Sequence, residues 1–101
     1  MSNFVKVARV GDIPPGQATI VEAEGRSLAL FNVGGAFYAT DNECLHRGGP
    51  LGEGFLEEKK VTCPWHGWRY DVATGQAEMD PSMKLNTYPV KVEGEEILVG
   101  L

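Results

Sequence analysis

The chain has 101 residues, 14 acidic and 9 basic, for a formal net charge of −5. That acidic balance argues against nucleic acid, which calls for a basic footprint. No apolar run approaches the roughly 20 residues of a membrane helix, and Met1-Ser2-Asn3-Phe4 lacks the basic start and apolar run of a secretion signal. A cytoplasmic protein is therefore expected, built as one domain over residues 1–101 with a modest core. Charge alone says little more than solubility, although an acidic surface also suits a carrier that docks on a basic partner.

Phe4-Val5-Lys6-Val7 has strand-like content, and Asp12-Ile13-Pro14-Pro15-Gly16 is a turn, since Pro-Pro and Pro-Gly cannot continue a central strand. Ala18-Thr19-Ile20-Val21-Glu22 reads as a second strand ended by Glu24-Gly25, and Ser27-Leu28-Ala29-Leu30-Phe31-Asn32-Val33 as a third. Gly34-Gly35 is a hairpin signal joining the third strand to Ala36-Phe37-Tyr38-Ala39-Thr40, which runs toward Cys44. Lys60-Val61-Thr62 leads into Cys63, and Trp68-Arg69-Tyr70-Asp71-Val72 leads away to a turn at Ala73-Thr74-Gly75. A short turn is expected around Ser82-Met83-Lys84-Leu85, and no long helix anywhere. Tyr88-Pro89-Val90-Lys91-Val92 and Glu96-Ile97-Leu98-Val99 read as a closing hairpin around Glu93-Gly94-Glu95. Short strands with turns at roughly 8–12-residue spacing predict an all-β fold, a small β-sandwich or barrel.

All the cysteines and histidines fall into one pattern: Cys44-x-His46, then 16 residues, then Cys63-x-x-His66. Two loops, each offering a thiolate and an imidazole, describe a four-ligand metal site. Gly48, Gly49 and Pro50 follow the first pair, and Pro64 and Gly67 accompany the second. Such residues permit tight backbone paths on which side chains and amide N–H groups can converge. A Cys44–Cys63 disulfide is the plain alternative, disfavoured because cytosolic disulfides are rare and each cysteine travels with a histidine. Thiolate with imidazole also suits zinc. Zinc fingers, however, usually group their cysteines before their histidines, whereas here the two alternate, which favours an iron–sulfur cluster.

On these residues the chain resembles the Rieske family. Cys44-Leu45-His46-Arg47-Gly48 is similar to its first ligand box, and Cys63-Pro64-Trp65-His66-Gly67-Trp68-Arg69-Tyr70-Asp71 to its second, with Gly75 at the usual turn. The resemblance implies a small Rieske-type β fold with a cluster-binding subdomain at about residues 42–72. It also implies one 2Fe–2S cluster, with Cys44 and Cys63 on one iron and His46 and His66 on the other. Two neutral imidazoles leave such a cluster less negative than four thiolates would, so reduction is easier than in plant-type ferredoxins. The histidine-bound iron should then carry the transferred electron, and the ring edges of His46 and His66 are expected at the surface as its entry and exit point.

The resemblance further implies a stand-alone ferredoxin, not itself an enzyme. It would be a monomer that takes electrons from a flavin-dependent ferredoxin reductase and passes them to a terminal oxygenase of an aromatic-ring dioxygenase system. The ligand boxes are also similar to the Rieske domains inside oxygenase catalytic subunits, but the chain has no spare histidine for a mononuclear iron. A small Rieske subunit of another redox enzyme, such as a nitrite reductase, is the alternative. Rieske proteins of the quinol-oxidising branch add two cysteines where this chain has Gly49 and Trp65, and commonly a serine where it has Trp68; Tyr70 is retained. An unclamped site with fewer donors predicts a potential of roughly −150 mV, low in the Rieske range. Trp65 and Trp68 are read as loop packing that shields the cluster. Phe37 and Tyr38 are read as core and sheet surface, and Glu57, Glu58 and the Glu93–Glu96 group as solvated charges.

Overall fold

In a computed structural model, residues 4–45, 48–65 and 67–101 are described. Among the described residues, ten strands form three antiparallel sheets: β1 (Phe4–Arg9), β2 (Ala18–Ala23), β3 (Arg26–Val33), β4 (Ala36–Asp41), β5 (Phe55–Glu57), β6 (Lys60–Thr62), β7 (Arg69–Asp71), β8 (Thr87–Tyr88), β9 (Val90–Glu93) and β10 (Glu96–Gly100). The orders are β1-β10-β9, β2-β3-β4-β8 and β5-β6-β7. The all-β expectation holds. Helical structure among the described residues is limited to two short 3-10 turns, Val10–Asp12 and Leu51–Glu53. Neither was anticipated, and the short turn expected around Ser82–Leu85 lies at Asp80–Met83, closed by Met83 N–H on the Asp80 carbonyl.

The β3 strand explains the layering. Successive strand side chains point to opposite faces, so a run buried on both faces reads as continuously apolar. Leu28 and Leu30 pack with Val21, Ala39, Ile97 and Val99 on one side. Ala29 and Phe31 face the other side, toward Cys44, Val61, Cys63, Tyr70 and Leu85. The four-stranded sheet is thus the middle layer. One core lies against the sheet of the chain ends, and the other joins it to the small β5-β6-β7 sheet that carries the second ligand loop. Phe37 and Tyr38 divide between these two cores, both half-buried, so neither is purely a surface residue.

Two strand expectations change. Tyr88–Val92 is not one strand: Tyr88 pairs with Ala39 in the middle sheet, whereas Val90 pairs with Val99 in the outer one. Pro89 sits at the switch, because proline has no N–H for a ladder and its ring fixes φ. Its carbonyl still accepts Gly100 N–H at 2.8 Å. The β5 strand is an addition, recruited by pairing Phe55 with Thr62 and Glu57 with Lys60 around a turn in which Glu58 has φ 53°.

The Tyr88 hydroxyl donates to Asp41 Oδ1 at 2.6 Å, tying β8 to the strand that leads into the first ligand loop. Burial, and then Asp41, push this phenol up from its ordinary range. A raised phenol favours the protonated form in the fold. Its contribution is therefore present below the unfolded value of about 10 and is lost as pH rises through the folded value. Tyr88→Phe should cost about 1 kcal/mol at neutral pH and flatten the alkaline decline in stability. Urea unfolding at pH 7 and pH 11 measures both, and an equally steep decline in the variant would exclude Tyr88 as the titrating group.

Candidate metal centre

The first ligand loop is held at its base before it reaches Cys44. Asn42 receives Leu51 N–H on its backbone carbonyl and Gly52 N–H on its side-chain oxygen, both at 2.8 Å. Glu43 and Pro50 then form an isolated bridge. Inside it, Cys44 N–H donates to the Gly49 carbonyl at 2.9 Å and Gly48 N–H to the Cys44 carbonyl at 2.7 Å. Gly48 has φ 73°, a left-handed conformation that glycine adopts without strain.

The second loop is the tip of the β6-β7 hairpin, closed by Cys63 N–H on the Trp68 carbonyl at 2.7 Å. Only this loop is a hairpin tip. The first lies in the connection from β4 to β5 and is made hairpin-like by its Glu43–Pro50 bridge. The loops meet at Gly49. A Cβ placed there would lie 2.7 Å from Cys63 Sγ, 3.1 Å from Trp65 Cγ and 3.2 Å from Trp65 Cβ. Gly49 and Trp65, the positions at which the quinol-oxidising branch carries cysteines, are therefore in contact, with no disulfide between them. Cys44 and Cys63 are both free thiols, which removes the Cys44–Cys63 bridge as a reading.

Cys44 and Cys63 are 3% and 2% exposed and share one buried cluster. Polar donors aim at both sulfurs. Trp65 N–H donates to Cys63 Sγ at 3.4 Å. The Tyr70 hydroxyl lies 3.2 Å from Cys44 Sγ and receives Leu45 N–H at 3.1 Å. A metal-bound thiolate can only accept, so with Leu45 N–H occupying the phenol oxygen, the hydroxyl proton is directed to sulfur. Burial pushes the Cys63 thiol up, with Cys44 adding to the effect and the Trp65 N–H opposing it. Burial, then the Cys44 hydrogen bond, raises the Tyr70 phenol, keeping it protonated as a donor. Two buried, converging thiols with donors aimed at them suit a soft, thiolate-loving iron–sulfur group, whose positive irons would favour the thiolate form.

His46, Arg47 and His66 lie outside the described residues. Among the described residues, therefore, the structure brings together the cysteine half of the expected ligand set. Beside the buried thiols, the same loops present Leu45 and Trp65, 44% and 50% exposed. Leu45 went unnoticed in the sequence, where it is one leucine among several; its place between Cys44 and His46 was the available signal. Trp68 packs near Tyr70, ring centroids 6.4 Å apart, consistent with a packing role. Arg69 is engaged by Glu78 at 3.5 Å and lies 4.0 Å from Glu57, whose side chain stays exposed as expected.

A layered β fold with two thiol-bearing loops converging at one end is the frame of a small metal-binding protein. Residues 3–89 match the Rieske [2Fe-2S] domain, and the chain belongs to that family. It is similar to the ferredoxin component of the naphthalene 1,2-dioxygenase system of Pseudomonas aeruginosa, 44% identical over 97% of this chain and 95% of that one. It is also similar to a chain in the complex of reduced oxygenase and oxidised ferredoxin of carbazole 1,9a-dioxygenase. There the TM-score is 0.87 at 33% identity, over 96% of this chain and 92% of that one. The protein is accordingly a Rieske-type ferredoxin, an electron-transfer protein with a 2Fe–2S cluster. A nitrite reductase small subunit from Mycobacterium tuberculosis superposes with a TM-score of 0.91 over 100% of this chain and 96% of that one, but at 20% identity it shares the fold alone. No helix among the described residues is long and apolar enough to cross a membrane.

Proposed function

We propose that this ferredoxin is the single-electron carrier of an aromatic-ring dioxygenase system, reduced by a flavin-dependent reductase and oxidised by a terminal oxygenase. Cys44 and Cys63 hold one iron, His46 and His66 the other, within a single domain over residues 1–101, acting as a cytoplasmic monomer. The observation that carries this reading is the pair of buried, donor-supported thiols behind an exposed apolar rim, in a chain whose 44% identical relative is a dioxygenase ferredoxin. When bound, the cluster supplies a one-electron couple low in the Rieske range, near roughly −150 mV. The chain's own residues exclude water from the sulfurs, aim donors at them and leave Leu45 and Trp65 for a transient partner contact, as suits a small interface.

The test is direct. The purified protein should be coloured and contain iron and acid-labile sulfide; a colourless zinc protein would sink the cluster assignment. Reconstitution with reductase and oxygenase should show turnover that depends on this chain. Co-purification only as part of an obligate large redox complex would instead favour the nitrite-reductase-type subunit. Leu45→Ser should lower the second-order rate of electron delivery about tenfold, the loss expected for one apolar anchor, with the midpoint potential unchanged. An unaltered rate would place the partner contact elsewhere.

A further inference from the structure

We propose that Trp65 is a latch between the two ligand loops: a positioning residue that holds the Cys44 loop against the Cys63 loop. The proposal rests on the ligand reading above, and its observations form one continuous chain. Trp65 N–H donates to Cys63 Sγ at 3.4 Å. The start of the Trp65 side chain lies over Gly49, so close that a Cβ there would be 3.1 Å from Trp65 Cγ. The Gly49 carbonyl accepts Cys44 N–H at 2.9 Å. The two thiols, 19 positions apart in sequence, are thus linked through three adjoining contacts and one residue with no side chain. Glycine at 49 lets the tryptophan sit directly on the backbone of the other loop.

Trp65 is 50% exposed, so the residue is only partly packed into the loops. The Trp65 atoms nearest a Cβ at Gly49 are Cγ and Cβ, at 3.1 and 3.2 Å. Removing the ring leaves both thiols, the Trp65 N–H and the approach of Cys63 Sγ to Gly49 in place, while taking the indole off Gly49. The loops should then separate more often, and the first loop should loosen although the substitution lies in the second.

The experiment compares the holoprotein with Trp65→Ala and Trp65→Phe. The first readout is amide hydrogen exchange by mass spectrometry over residues 42–50. The second is the rate at which a chelator bleaches the cluster. Trp65→Ala should speed exchange at Cys44 and Gly48 about tenfold, the effect of losing much of one aromatic contact, and bleaching by a similar factor. Trp65→Phe, which keeps a ring on Gly49, should restore most of both. Phe55→Ala, exposed but outside the loops, should change neither. If Trp65→Ala does not retain its cluster, Trp65→Leu takes its place with a smaller rise of the same sign. Faster bleaching with unchanged exchange at Cys44 and Gly48 would overturn the latch and leave Trp65 a shield. A wild-type protein that binds no iron and sulfide would instead defeat the ligand reading, while the exchange comparison would still decide whether the loops are coupled.

Discussion

Replacing Tyr70 by Phe is expected to lower the midpoint potential by about 60 mV, one factor of ten for a one-electron couple. The hydroxyl sits 3.2 Å from Cys44 Sγ, fully buried, and is oriented by Leu45 N–H. With a cluster held by Cys44, an added electron would make the whole centre more negative and its sulfurs better acceptors, so loss of this bond would penalise the reduced state. Hydrogen bonds to charged groups contribute about 1.5–3 kcal/mol. Only the part that differs between oxidation states moves the potential, which selects the lower end of that range. The Leu45 N–H also loses its acceptor, which should cost about 1 kcal/mol in stability. A redox titration followed by electron paramagnetic resonance measures the first effect and denaturant unfolding the second. An unchanged potential would mean that the hydroxyl does not donate to the ligand sulfur.

Gly75→Ala should be the most destabilising of the single substitutions considered, by about 3 kcal/mol or more. Gly75 has φ 82°, where an alanine is strained by about 1–2 kcal/mol. Its Cβ would also overlap the Leu85 carbonyl oxygen, a backbone atom that cannot swing aside. The position is pinned from both sides, Gly75 N–H donating to Asp71 at 2.7 Å and Leu85 N–H to Gly75 at 2.8 Å. Leu85 in turn packs in the core that holds Cys44, Cys63 and Tyr70, so displacement reaches the site. Against a total stability of about 5–15 kcal/mol for a domain, the urea midpoint should fall sharply. Gly11→Ala is the control: its φ is ordinary and no atom lies within 4 Å of an added Cβ, so a change within about 0.5 kcal/mol is expected. Equal effects at the two glycines would refute the steric argument.

The residues that make the strands were readable because their signals are local. Gly34-Gly35 carries φ values of 59° and 101° in the turn where a hairpin was expected, and Glu24-Gly25 carries 50° and 79°. The continuous apolar run Leu28–Phe31 marked a strand, but not that its two faces serve two different cores. Pro89 was read through as part of one strand, because the exchange of sheets there depends on β4 and β10 offering edges on either side. The β5 strand left no signal strong enough to read, because three residues become a strand only when β6 pairs with them.

The ligand types, their spacing and their Gly/Pro setting were determined by the sequence alone, because a metal site demands particular atoms and a tight loop demands particular backbones. From these the family and its cluster followed. Tertiary structure decided what surrounds the sulfurs. The Tyr70 hydroxyl reaches Cys44 across 26 positions, Trp65 settles on Gly49, and Leu45 is left at the exposed rim beside the buried thiols. These contacts join segments distant in the chain, and their geometry is set by how three sheets stack, which no local pattern encodes.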